Sequence, residues 1–135
     1  MSLTYLLDTN ICIYITKQKP ISVLHRFEKL TVGMVAMSAV TYGELWYGSE
    51  KSTKPKQAHH ALETLTGIIP SLPIPTEAAK YYGHIRYYLE KKGKIIGNND
   101  LWIAAHAMAL DIILVTNNIK EFQRVPKLKI ENWVS

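Results

Sequence analysis

Cysteine is nearly missing from this chain: Cys12 stands alone among 135 residues. An intramolecular disulfide is therefore impossible, and zinc sites built on four cysteines or on mixed cysteine and histidine are excluded. That usage is the pattern of a reducing cytoplasm. No apolar run approaches the roughly 20 residues that a membrane helix needs, and Met1 to Asp8 shows no basic segment leading into an apolar stretch. A soluble, unexported, cytoplasmic protein is the expectation. Repeats, low-complexity tracts and Gly/Ser linkers are also lacking, and the seven glycines and six prolines are spread singly. Aspartate is scarce as well, occurring three times, at Asp8, Asp100 and Asp111.

What is present describes one globular unit. Apolar residues make up 47% of the chain and charged residues 20%, a balance able to bury a core and unlike that of a disordered tail. The length is that of one domain, residues 1–135, with no room for a second independent core. Lysine and arginine total 16 against 11 acids, a formal net charge of +5. Such an excess points toward an anionic partner such as nucleic acid without specifying one.

Along the chain, Leu3 to Leu7 is a short apolar run that reads as a buried strand, and Asp8-Thr9-Asn10 is a polar turn able to cap a helix starting near Ile11. Ile21, Leu24, Phe27 and Leu30 then recur at helical spacing. Val32 to Met37 predicts a second strand; Ser38 and Thr41 offer capping hydroxyls, with Thr41 and Glu44 at the spacing of a capping box. After a polar break at Lys51 to Lys56, a helix is expected over Ala58 to Ile69, and Pro70, Pro73 and Pro75 leave Leu72 and Ile74 only a short edge strand. A long helix from Thr76 ends at Gly93, a loop covers Lys94 to Asn98, and Asn99-Asp100 opens a helix that is apolar nearly all round to Leu110. Ile112 to Val115 predicts a third buried strand, Glu121 and Phe122 a short helical turn, and Lys127 to Trp133 a last strand. Continuous apolar strands alternating with helices argue for an α/β fold: a mostly parallel sheet of four to five strands, covered on both faces.

In such a sheet, ligands bind outside the carboxyl ends of the strands. Asp8, Glu44, Asn117 and Asn118 all follow strands, and Asp100 opens the helix that feeds the third one. Any one of the three acids, taken alone, is better explained as a helix cap, a capping-box partner or a first-turn charge, worth about 1 kcal/mol. Three at one rim suggest more. Crowded carboxylates raise one another's pKa, whereas Mg²⁺ or Mn²⁺ binds hard oxygen ligands and makes the crowding favourable. The chemistry this supports is metal-assisted attack of water on a phosphodiester.

Several strings then become recognisable together: Leu6-Leu7-Asp8-Thr9-Asn10, Ser38 to Leu45 with Tyr47-Gly48, Asn99 to Ala107, Leu114 to Asn118 with Glu121-Phe122, and the closing Glu131-Asn132-Trp133. Over essentially the whole chain this resembles the PIN-domain ribonuclease toxins of the VapC type, from VapBC toxin–antitoxin pairs. The resemblance implies a three-layer α/β/α domain and a Mg²⁺- or Mn²⁺-dependent endoribonuclease, with Asp8, Glu44 and Asp100 as metal ligands and Asn118 as a further catalytic residue. It also implies a VapB-like antitoxin, a homodimer that joins the antitoxin on operator DNA, and an RNA substrate, with a tRNA anticodon stem-loop as the expected target. One departure stands out. Many PIN domains carry a fourth acid after the last buried strand, where this chain has Asn117 and Asn118; Glu121 could replace that acid through a water.

The remaining candidates have plainer readings. His59, His60 and Glu63 lack the order of a zinc-peptidase helix and read as a solvated face. His106 reads as a packed helix residue and Cys12 as a small core residue, while Tyr81 or Tyr82 together with Tyr88 are expected in the core or a dimer interface, the dimer surface itself being expected on the early helices. Lys51, Lys54 and Lys56, and separately Arg86, Lys91, Lys92 and Lys94, are placed to border the acidic rim. The second cluster is the expected RNA-binding margin; both are equally well read as solvated loops. An aspartyl-phosphate phosphatase also begins with a strand ending in Asp, but that chemistry needs a second Asp two residues on, where Asn10 stands. The other alternative is a non-catalytic basic α/β nucleic-acid-binding module, which would need no metal.

Overall fold

The computed structural model describes residues 2–134. Strands β1 (Tyr5–Leu7), β2 (Val35–Ser38), β3 (Ser71–Leu72), β4 (Ile113–Val115) and β5 (Ile130–Glu131) form one sheet in the order β3-β2-β1-β4-β5. Every pairing is parallel. Helices α1 (Thr9–Lys17), α2 (Ile21–Glu28), α3 (Ala39–Glu50), α4 (Pro55–Ile68), α5 (Glu77–Lys92), α6 (Asn98–Leu110) and α7 (Ile119–Phe122) supply the connections.

Strands of two to four residues suffice because successive side chains leave on opposite faces and both faces are covered. Leu6, Ala36 and Leu114 enter one layer, packed with Ile85 and Leu89 of α5 and Leu101 and Ala104 of α6. Leu7, Met37 and Val115 enter the other, packed with Ile11 and Ile15 of α1, Val23 of α2, Leu62 and Leu65 of α4, and Trp133. Each fully buried Leu or Ile contributes roughly 1.5–3 kcal/mol, so the two layers, and not the few ladder hydrogen bonds, hold the sheet. Trp133 is pinned edge-on to Tyr5 at 5.3 Å, and Arg26 reaches from α2 over its ring to Glu131 at 2.8 Å.

Several expected boundaries move. Val32 is 73% exposed and Gly33 takes a positive φ of 101°, so β2 starts at Val35, after a turn, and not at Val32. The last strand shrinks to two residues because Lys127 turns with φ 67° and Trp133 leaves the sheet to fill the core. Helix α4 starts at Pro55, three residues ahead of Ala58, since proline suits a first helical turn whose N–H is unpaired anyway. Ser38, not Thr41, caps α3, accepting the Val40 N–H at 3.2 Å. The capping box with Glu44 is therefore not formed, and Glu44 is free to point elsewhere. Gly93 ends α5 in the left-handed region, as the sequence suggests.

The chain builds β1, β2 and β3 in one direction and β4 and β5 in the other. The order reverses between β1 and β4, so their carboxyl ends flank a switch point, where open parallel sheets form their crevices.

Candidate active site

Asp8 is the first residue past β1 and caps α1, its Oδ1 accepting the Ile11 N–H at 3.0 Å. Thr116, the first residue past β4, lies beside the same carboxylate and favours its charged form. Glu44 extends from α3 and accepts from the Thr9 hydroxyl and, at 3.4 Å, from the Asn99 amide. Asp100 lies in the first turn of α6, and Asn118 immediately precedes α7 without a side-chain capping bond. Asp8, Glu44, Asp100 and Asn118 line one cleft of about 160 Å³ with Thr9, Asn10, Ile103 and Phe122. Four segments far apart in the chain thus meet at the switch point, each fixed by the end of a regular element.

Burial and like charge make this cleft reluctant to hold bare carboxylates. Burial raises the pKa of Asp8 above its ordinary value; hydrogen bonds from Thr116 and the Ile11 N–H oppose that rise, while the Glu44 charge adds to it. Asp100 is pushed up to about 6, by burial first and then by the charges of Glu121, Glu44 and Asp8. Among the described residues none of these acids has a cationic partner within 4 Å. Also among the described residues, no three His, Cys, Asp or Glu side chains stand close enough to form a ready-made metal cage. The donor set still suits Mg²⁺ or Mn²⁺, which keep several waters and take only one or two carboxylates directly. Their charge would offset the mutual repulsion that raises Asp100.

A fourth acid on α7 acts on the site from outside the cleft lining. Asn117 turns away, its amide donating to the Tyr14 hydroxyl at 3.0 Å, while Asn118 faces the cleft. Glu121, one turn along α7, lies near enough for its charge to raise the Asp100 pKa. Thr9, Asn99 and Thr116, which orient Glu44 and Asp8, carry no charge and no metal-ligand signature; only their positions next to Asp8, Asp100 and Asn117 could have marked them.

The other candidates take structural roles. Cys12 is fully buried, and burial pushes its thiol up. His106 is fully buried with Nδ1 2.9 Å from the Ser38 Oγ, and burial lowers its pKa. His59 stacks on Trp46. Tyr82 stacks on Trp102 at 4.0 Å, but Tyr88 is 41% exposed and does not join this chain's core. The basic residues separate. Arg86 is held by Glu90 and the Tyr82 hydroxyl, and that hydroxyl also contacts Asn98 at the start of α6. Lys91 lies over Tyr87 and Lys51 over Tyr47, whereas Lys92 and Lys94 line a separate groove.

Fold and cleft together define a parallel α/β domain with an acidic centre at its switch point. The PIN-domain family model matches residues 5–128. Ribonuclease VapC2 of Haemophilus influenzae is 43% identical over 132 residues, covering 98% of this chain and 99% of that protein. The tRNA(fMet)-specific endonuclease VapC of Shigella flexneri is 43% identical over 131 residues, 97% of this chain and 98% of the relative. A chain in the crystal structure of VapBC2 from Rickettsia felis, bound to a DNA fragment from its promoter, matches with a TM-score of 0.88 and 43% identity, over 97% of this chain and 99% of that one. The chain belongs to the PIN-domain family, on its VapC ribonuclease branch. PIN-domain nucleases as a family depend on divalent metal ions, and no helix among the described residues is long and apolar enough to cross a membrane.

Proposed function

We propose that this protein is the toxin of a toxin–antitoxin pair and hydrolyses phosphodiester bonds in RNA, using Mg²⁺ or Mn²⁺ held among Asp8, Glu44 and Asp100. The observation that carries this reading is the cleft itself: three carboxylates from distant segments, without cationic partners among the described residues, at the switch point of a protein with net charge +5. When bound, the ion lowers the pKa of its water and neutralises charge gathering on the phosphorus. The chain's own residues do the positioning. Thr9 and Asn99 hold the two Glu44 oxygens, and the Ile11 N–H and Thr116 hold Asp8. Asn118 offers a neutral carboxamide to a phosphate oxygen, where an acid would repel it. The Glu121 charge, which adds to the rise of Asp100, is one that a bound cation would offset.

Arg86, Lys91, Lys92 and Lys94 form the cationic margin for the RNA backbone. A tRNA is the substrate, as in the Shigella relative's name, cut in its anticodon stem-loop; a VapB-like antitoxin neutralises the enzyme, and a homodimer joins it on promoter DNA, as the Rickettsia complex suggests. One PIN unit spans residues 1–135. The test is cleavage of total tRNA by purified, antitoxin-free protein. Mg²⁺ should support it, and EDTA or Asp8→Asn should abolish it. Cleavage that persists in EDTA overturns the metal mechanism.

A further inference from the structure

Beside the acidic cleft lies a larger groove, about 690 Å³, between the C-terminal end of α5, the following loop and α7. Four cations line it, Lys92, Lys94, Lys120 and Arg124, and no acid does. None of the four has a carboxylate partner within 4 Å among the described residues. Four of the protein's sixteen lysines and arginines stand in this one lining, and like charges so concentrated repel one another unless an anion covers them.

The groove is also built, not merely lined. Gly93, at φ 66°, reverses the chain between Lys92 and Lys94, and the Lys94 N–H donates to the Leu89 carbonyl at 2.9 Å. Across the groove, Arg124 Nη1 donates to the Ile95 carbonyl at 3.1 Å, tying the turn after α7 to the loop. Tyr88 supplies an exposed ring with Lys92 Nζ 5.6 Å from its centre. Cations spaced along a channel together with an aromatic face are what a single nucleic-acid strand needs, phosphates on the first and a base on the second. An acidic peptide would use the cations but not the ring.

Helix α7 links the two sites. Asn118 and Phe122 line the cleft, Lys120 and Gln123 line the groove, and Glu121 meets Asp100. We infer that the groove of Lys92, Lys94, Lys120 and Arg124 binds the single-stranded flank of an RNA whose scissile phosphate sits in the cleft across α7. This rests on the ribonuclease reading and extends it to a second contact surface, contributed partly by residues 120–124.

The test is fluorescence anisotropy of a labelled single-stranded RNA of about 12 nucleotides, in EDTA so that nothing is cut, across a series of salt concentrations. Lys120→Ala/Arg124→Ala should bind about tenfold more weakly at low salt, and its log–log salt slope should be shallower by about 1.4, at roughly 0.7 for each phosphate no longer neutralised. Arg124 also braces the loop, so Lys120→Glu is the second variant: Lys120 is exposed and makes no side-chain hydrogen bond among the described residues, and reversing its charge should weaken binding more than Lys120→Ala does. Wild-type affinity and slope in these variants overturn the groove assignment even if the protein cleaves RNA. Loss of affinity for duplex DNA or a poly-glutamate peptide, with RNA binding intact, overturns it too. A wild-type protein that neither binds nor cleaves RNA instead brings down the ribonuclease reading.

Discussion

The acidic cleft and the basic groove share α7 but are assembled in opposite ways. The cleft draws its three acids from three distant segments, and each acid is fixed by the end of a strand or the first turns of a helix, partly shielded from water. The groove draws its cations from the exposed end of α5, a loop and α7, with long side chains mostly in solvent. Charges in the cleft therefore carry large individual energies, because burial removes the water that would screen them. Those in the groove are individually weak and act by number. Substitutions in the cleft should abolish function one at a time, while those in the groove should erode it by degrees.

Asp8→Asn should give the largest effect, lowering RNA cleavage on the order of a thousandfold, the scale of losing several kcal/mol of charge stabilisation. Asparagine caps helices about as well as aspartate, so the melting temperature should stay close to wild type. A variant that unfolds would mean that Asp8 is chiefly a cap. Asp100→Asn should also stop cleavage, with the opposite signature in stability. An acid held at about 6 in the fold and 3.8 in the unfolded chain binds its proton more tightly when folded. Its contribution is complete below about pH 3.8 and is lost as pH rises through about 6. Metal-free wild type should weaken over that window, whereas the asparagine variant should not. The difference at pH 7 should be on the order of 1 kcal/mol, discounted for the partial exposure of Asp100. Calorimetry between pH 4 and 7.5 reads it directly, and Mn²⁺ should restabilise wild type but not the variant.

The same asymmetry governs how much of each site is legible in the sequence. Continuous apolar runs, a scarce aspartate after the first of them and an Asn99-Asp100 helix start point to a parallel sheet with an acidic rim, because element ends are local and the switch point follows from their order. Strand lengths are less legible: Val32 is as apolar as Val35 but sits in an exposed turn. Glu44 stands at a capping-box distance from Thr41, and only the fold brings Thr9, 35 residues away, to its carboxylate. Glu121 is visible as a stand-in for the missing acid, though its approach to Asp100 depends on how α7 packs. Lys120 and Arg124 carry no such mark, because nothing local ties residues 120–124 to 92–94.

Thr9→Val tests that tertiary contact. It removes the hydroxyl that donates to Glu44 and leaves Asn99 as the remaining donor. A hydrogen bond to a charged group contributes about 1.5 kcal/mol, so kcat should fall about tenfold. The Mn²⁺ concentration needed for half-maximal activity should rise with it; unchanged kinetics would show that Glu44 needs no orienting partner.

The smallest effects distinguish two cations that lie only six residues apart. Arg86 is already paired with Glu90 at 3.1 Å and bound to the Tyr82 hydroxyl, whereas Lys92 has no carboxylate within 4 Å among the described residues. A phosphate arriving at Arg86 must compete with Glu90, and its gain is the difference between two contacts. At Lys92 it displaces only water and counterions. Lys92→Ala should therefore weaken RNA binding severalfold and flatten the salt slope by about 0.7, and Arg86→Ala should change both by less than half as much. Glu90→Gln, which frees Arg86, should then tighten RNA binding slightly, while Mn²⁺ affinity stays constant in all three variants because none of these residues lines the cleft. Equal losses at Arg86 and Lys92 would mean that the strand runs along α5 toward Asn98 and not into the groove beside α7.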